Sequence, residues 1–130
     1  NTPQFNTQED LLEIDLFTGE GTVYKLGAAP TYVRQGDSIR RLAGGSLPAG
    51  LAGGTGDTVD RFSVRLSPGD CVLMVSDGIC GSGEDGWLME QLRSFDGDSP
   101  RRLASRLITQ SPQGATDDRT ALVVKFEKRT

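Results

Sequence analysis

Five consecutive apolar residues, Cys71-Val72-Leu73-Met74-Val75, constrain this chain more than any other stretch. Ser67-Pro68-Gly69-Asp70, a turn with Pro and Gly in favourable places, precedes them, and Ser76-Asp77-Gly78 ends the run abruptly. A strand with one wet face alternates apolar and polar residues. A continuous apolar run of this length predicts a strand covered on both faces.

The flanking sequence supplies the rest of the sheet. Residues 59–66 (VDRFSVRL) alternate strictly over several positions and predict a half-buried strand. Residues 9–17 (EDLLEIDLF), the turn Thr18-Gly19-Glu20-Gly21 and residues 22–26 (TVYKL) predict a β-hairpin. Tyr32-Val33-Arg34 and Ser38-Ile39-Arg40-Arg41-Leu42, around Gln35-Gly36-Asp37, predict a second one. Beyond the polar loop 80–86 the period changes: Trp87, Leu88, Gln91, Leu92 and Phe95 fall on one helical face, with Trp87, Leu88 and Leu92 assigned to the core. Ser99-Pro100 reads as an N-cap followed by Pro at the first helical position, opening a helix with the stripe Leu103, Leu107, Ile108. Residues 119–126 (RTALVVKF) predict a final strand. Many strands, two helices and one more strand give an α+β fold with a mostly antiparallel sheet. Residues 1–8 are expected to be disordered or the start of a linker, 9–127 the folded unit, and 128–130 a tail. Residues 43–57 read as a long Gly-rich connection, first of all a flexible surface loop, although long loops in compact domains often carry function.

Composition narrows the function classes. With 130 residues, 35% of them hydrophobic, 17 Gly and 6 Pro, the chain is one turn-rich domain or a piece of one. Fourteen Lys and Arg against 18 Asp and Glu give a net charge of −4, which disfavours a nucleic-acid partner. No His is present, which removes His-based triads, His-ligated zinc and His proton shuttles. Cys71 and Cys80 do not form a CxxC pair and read as buried thiols in a reducing compartment. No apolar run approaches the ~20 residues of a membrane-spanning helix, and no signal peptide is visible. The chain is therefore expected on the cytoplasmic side, without spanning a membrane itself. It begins Asn1-Thr2-Pro3, without Met, and reads as a fragment, compatible with a membrane-anchored parent. The pairs Arg40-Arg41 and Arg101-Arg102 read as solvated faces.

The candidate chemistry lies at strand ends. Asp77 follows the buried run directly, and Asp117 and Asp118 stand just before the last strand. A carboxylate there is held by a rigid element yet reaches solvent, which suits a hard cation bound through oxygen. Gly78 would permit a sharp exit and a close backbone approach. If the two strands are neighbours, Asp77 and Asp117 converge, and a divalent cation relieves their repulsion. The same residues also suit plain turn and cap roles, since Asp-Gly is a common turn.

Ser76-Asp77-Gly78-Ile79 after an apolar strand, with Asp117-Asp118-Arg119-Thr120 before the last one, resembles the PPM (protein phosphatase 2C-type) serine/threonine phosphatases. More narrowly it resembles the bacterial branch typified by stage II sporulation protein E. Further matches, in order, are Ile14-Asp15-Leu16-Phe17-Thr18-Gly19, Leu26-Gly27-Ala28-Ala29-Pro30, Ser46-Leu47-Pro48-Ala49-Gly50 and Leu66-Ser67-Pro68-Gly69-Asp70. The resemblance implies a sandwich of two antiparallel sheets flanked by helices. It implies a site for two Mn²⁺ or Mg²⁺ ions, with Asp77 and Asp117 as metal ligands, Asp118 as an adjoining candidate and Gly78 shaping the turn. The implied activity is hydrolysis of phosphoserine on a protein by a metal-bound hydroxide, with no phosphoenzyme. The implied substrate is an anti-sigma-factor antagonist in sporulation or stress signalling.

Two departures accompany the resemblance. Only the C-terminal half of the PPM domain has a counterpart here, so the fragment is expected to be inactive alone. Arg119 stands where the family usually has Met or another apolar residue. An exposed sandwich edge or face further predicts pairing with a second copy as a homodimer. The contrasting reading is a non-catalytic partner-binding module using the 43–57 loop.

Overall fold

A computed structural model describes residues 2–6, 10–27, 29–43, 59–80, 84–96, 99–111 and 119–128. The strands are β1 (Gln4–Asn6), β2 (Asp10–Ile14), β3 (Glu20–Lys25), β4 (Thr31–Gln35), β5 (Ser38–Leu42), β6 (Asp60–Arg65), β7 (Cys71–Val75) and β8 (Ala121–Lys125). The helices are α1 (Asp77–Cys80), α2 (Gly86–Ser94) and α3 (Pro100–Gln110). The strands form two antiparallel four-stranded sheets, ordered β1-β2-β3-β6 and β5-β4-β7-β8.

The apolar run is β7, and the period of two explains its complete burial. Val72 and Met74 face the other sheet, in one cluster with its Leu12, Ile14, Val23 and Val64 and with Val33 of β4. Cys71, Leu73 and Val75 pack under the helices with Leu88, Leu92, Phe95, Leu103 and Leu107. The order of layers is therefore sheet, sheet, helices.

Strand β4 divides its side chains in the same way. Val33 enters the space between the sheets, whereas Tyr32 joins the helix-side cluster. Arg34, two residues on, also faces the helices. Its Nη1 donates to the Leu92 carbonyl at 2.9 Å and to the Phe95 carbonyl, and its Nη2 donates to the Gly69 carbonyl at 3.2 Å. The guanidinium thus caps the C-terminal end of α2.

Both predicted hairpins form. In β4–β5 the turn residues are Gly36 and Asp37, with φ +61° at Gly36, the Gly-first arrangement favoured in two-residue turns. In β2–β3 the turn sits earlier than expected, at residues 16–18. The Asp15 carboxylate sets it by accepting the amides of Phe17 (2.8 Å) and Thr18 (3.3 Å). Gly19 follows with φ +76°, and a Cβ there would lie 2.0 Å from the Leu66 carbonyl oxygen. Asp70 is likewise a turn residue, accepting the amides of Gly36 (3.0 Å) and Ser67 (2.8 Å). Two of the family motifs are therefore explained by turn chemistry.

Three expectations are corrected. Gln4–Asn6, inside the stretch expected to be disordered or linker, adds β1 to the edge of β2. The helices flanking the sandwich number three among the described residues, because Asp77 opens a one-turn helix, with Ile79 N bonded to the Ser76 carbonyl at 3.0 Å. Arg40 and Arg41 are not merely solvated. Arg40 donates to the Ser63 carbonyl at 3.1 Å and Gln35 to the Arg65 carbonyl at 2.9 Å. These bonds tie β5 and the end of β4 to β6 across the two sheets and blunt the edges of β5 and β6. The Gly-rich connection lies outside the described residues from 44 onwards.

Candidate functional site

The strand registers collect one set of residues at one end of the sandwich. Val75 pairs with Ala121, so β7 leaves and β8 enters there. Thr31 pairs with Met74 and Leu42, which brings the start of β4 and the end of β5 to the same end. Thr31 Oγ1 donates to Asp10 at 3.0 Å, which adds the first sheet.

Asp77 sits at this end, exposed, as the first residue of α1. Its backbone is fixed from two sides. Ser76 N donates to the Thr120 carbonyl at 3.0 Å, and Ser76 Oγ accepts the Thr120 amide at 2.9 Å, extending the β7–β8 ladder by one residue. Behind it, Gly78, Ile79 and Cys80 are buried. Gly78 is absent from the glycines with positive φ, so its place reflects burial and not a left-handed turn. Strands β7 and β8 are neighbours, as convergence of the two acidic segments requires. Asp117 and Asp118 themselves lie outside the described residues, which resume at Arg119.

Asp77 offers the hard oxygen donor that Mn²⁺ or Mg²⁺ prefers, on a well-held backbone. It does not make a site by itself: among the described residues no group of three or more Cys, Asp or Glu is placed to hold a metal. The described donor fits such a cation in kind.

Two polar networks flank this end, and neither was legible beforehand. In the first, Lys25 Nζ meets Asp10 Oδ2 at 2.6 Å, with both side chains buried, and also donates to the Ala29 carbonyl. Asp10 Oδ1 accepts the amides of Leu26 and Gly27 at 3.3 Å each. A buried ion pair persists only when its remaining valences are met, as here. Asp10 and Lys25 lie opposite one another across β2 and β3, a relation that single-chain patterning does not reveal.

In the second network the Tyr32 hydroxyl donates to Asp85 Oδ2 at 2.6 Å, and Arg41 Nε donates to the same oxygen at 2.8 Å. Partial burial would raise the Asp85 pKa, but the bonds from Tyr32 and Arg41 outweigh it, and the net shift is downward. Burial and the Asp85 bond push the Tyr32 phenol well above its usual range. Cys80 Sγ lies 3.8 Å from the Tyr32 hydroxyl, and burial raises its pKa, as it does for Cys71. Both cysteines are free, matching their reading as quiet buried thiols.

A carboxylate whose pKa is lower folded than unfolded stabilises the fold above its unfolded pKa. That contribution fades as pH falls through the folded value. Asp85→Asn is therefore expected to cost stability near neutrality and to flatten the loss of stability in acid below about pH 4. Urea unfolding from pH 3 to 7 measures it, and an unchanged acid limb would reject the role of Asp85.

Residues 7–127 match the family model for stage II sporulation protein E (SpoIIE). The chain belongs to the SpoIIE family. It is 27% identical over 139 aligned positions to stage II sporulation protein E of Bacillus subtilis strain 168, covering 99% of this chain and 16% of that protein. Among solved structures, it resembles the B. subtilis SpoIIE phosphatase domain with a fragment of the regulatory domain. That match has a TM-score of 0.72 and 27% identity, over 93% of this chain and 38% of that one. The Mn-presoaked SpoIIE phosphatase domain gives a TM-score of 0.69 and 26% identity, over 100% of this chain and 58% of that one. The fold is thus that of a PP2C phosphatase domain, and this SpoIIE-family chain spans less than two thirds of each of these relatives.

Proposed function

We propose that this chain is the C-terminal half of a PPM-type serine/threonine phosphatase domain, in which Asp77 and Asp117 hold divalent cations and Asp118 adjoins them. The observation carrying the proposal is the exposed Asp77 carboxylate, at the end of a fully buried strand, in a fold shared with PP2C phosphatase domains. Mn²⁺ or Mg²⁺ supplies activated water at neutral pH and neutralises charge on phosphoryl oxygens. The residues of the chain supply the position. Ser76 locks the ends of β7 and β8 together, Gly78 is buried behind the site and would shape the turn there, and Asp77 acts as ligand and not as nucleophile. By family resemblance the substrate would be a phosphoserine protein, an anti-sigma-factor antagonist, met on the cytoplasmic side by a parent protein that a membrane anchor would suit. Among the described residues no helix is long and apolar enough to cross a membrane.

The test uses the intact gene product, stripped with a chelator and given a phosphoserine protein. Phosphate release is expected only after Mn²⁺ or Mg²⁺ is restored. Release without metal, or none with it, rejects the proposal.

We infer that a homodimer would form through the exposed sandwich edge at β8. All five of its residues are half-buried, and among the described strands it pairs with β7 alone. Sedimentation of the 130-residue chain is expected to show dimers at high concentration. A strictly monomeric profile rejects this interface.

A further inference from the structure

Helix α1 has only four residues, too few to hold its own shape, so its position is set by what it packs on. One atom stands out there. The hydroxyl of Tyr32, a fully buried residue, contacts Cys80 at the end of α1 and Asp85 at the start of α2. Both ends of the connection between the two helices therefore rest on a single phenol anchored in β4.

The use made of Asp85 is equally specific. It occupies the N-cap position of α2, where an Asp side chain ordinarily accepts a backbone amide, yet it makes no capping bond. Its Oδ2 is given instead to Tyr32 and Arg41, on neighbouring strands of the sheet. A cap has been exchanged for a cross-link between the helix layer and β4–β5. Asp77 lies three residues before Cys80, at the other end of the same helical turn.

We propose that Tyr32, Asp85 and Arg41 are positioning residues that hold α1, and through it Asp77, at the cation-binding end of the sandwich. This rests on the proposed role of Asp77 as a ligand. Without the cross-link α1 loses its support on β4, Cys80 becomes accessible and the Asp77 carboxylate is no longer preset.

The experiment uses Tyr32→Phe and Asp85→Asn in the intact gene product, the second guarding against misfolding of the first. Alkylation of Cys80, read by mass spectrometry against Cys71 in the same molecule, reports the opening of α1. Calorimetry with Mn²⁺ alone reports the preset of Asp77. Both variants are expected to raise Cys80 labelling about five-fold relative to Cys71, and the Mn²⁺ Kd by a similar factor, the effect of losing one net hydrogen bond. The double variant is expected to fall short of the product of the singles, because both break one link. Ser99→Ala, which removes the bond from Arg102 N at the start of α3, is expected to lower stability with the Mn²⁺ Kd unchanged. Unchanged Cys80 labelling, equal labelling of Cys71, or a Kd that Ser99→Ala shifts as much overturns the proposal. If Asp77→Asn removes Mn²⁺ binding while Tyr32→Phe leaves the Kd unchanged, only the positioning role fails. If Asp77→Asn leaves binding intact, the ligand assignment fails first.

Discussion

Asp77→Asn in the intact gene product is expected to lower kcat/KM for phosphoserine hydrolysis by at least about 100-fold, while leaving the fold as stable as before. The substitution keeps the shape of the side chain and removes its charge. A hard divalent cation is held mainly by carboxylate charge, and the loss of one preorganised electrostatic group commonly costs 10²–10³ in rate. Stability responds differently because Asp77 is exposed. Surface changes of this kind stay within about 0.5 kcal/mol. The combination separates a ligand from a turn former: a turn or cap residue would lose stability and keep its rate. Steady-state kinetics over a range of Mn²⁺ concentrations, beside a denaturant melt, measures both. Full activity at ordinary Mn²⁺ levels would remove Asp77 from the site.

Breaking the Asp10–Lys25 pair is expected to have the opposite signature, a large loss of stability from two buried side chains. Removing one member of a buried ion pair leaves an uncompensated charge and typically costs about 3–5 kcal/mol. Lys25→Met leaves the Asp10 carboxylate with the Thr31 hydroxyl and the Leu26 and Gly27 amides still bonded to it. Asp10→Leu is the worse change. It strands the buried ammonium with the Ala29 carbonyl and takes the acceptor from all three of those donors. The double variant is expected to recover only part of the loss, since those donors stay without an acceptor. Urea midpoints of the two single variants and the double provide the measurement. A loss below about 1 kcal/mol for Asp10→Leu would show that the network contributes little.

What the sequence revealed, and what it hid, follows from the range of the interactions. Strand β7 was legible because burial on both faces leaves a continuous apolar run. The Ser99-Pro100 start of α3 was legible because an N-cap acts within three residues, and Ser99 Oγ accepts Arg102 N at 3.2 Å. The β4–β5 hairpin was legible because its register is fixed by the two turn residues. Strand β1 was hidden because three residues are too short for a pattern, and its pairing with β2 supplies the order. Helix α1 was hidden because four residues carry no helical period. At the proposed site, Asp77 drew notice from its place at the end of an apolar strand, and its ligand role came from the family resemblance. Lys25, Tyr32, Arg41 and Asp85 could not be singled out, since Tyr32 and Asp85 are separated by 53 positions and meet only once sheet and helices have docked. Arg41 reads as an ordinary surface cation for the same reason.

The alternation along β4 makes that strand intolerant of one kind of change. Tyr32 and Arg34 grip the two ends of α2 from one face, while Thr31 and Val33 serve the opposite sheet. An inserted or deleted residue within β4 would turn every one of these side chains to the wrong side at once. Such an indel would release the helical layer and undo the bond between the sheets in a single step, whereas point substitutions fail one contact at a time. Length variation is therefore to be sought at the 36–37 turn, where the chain can grow without inverting the strand.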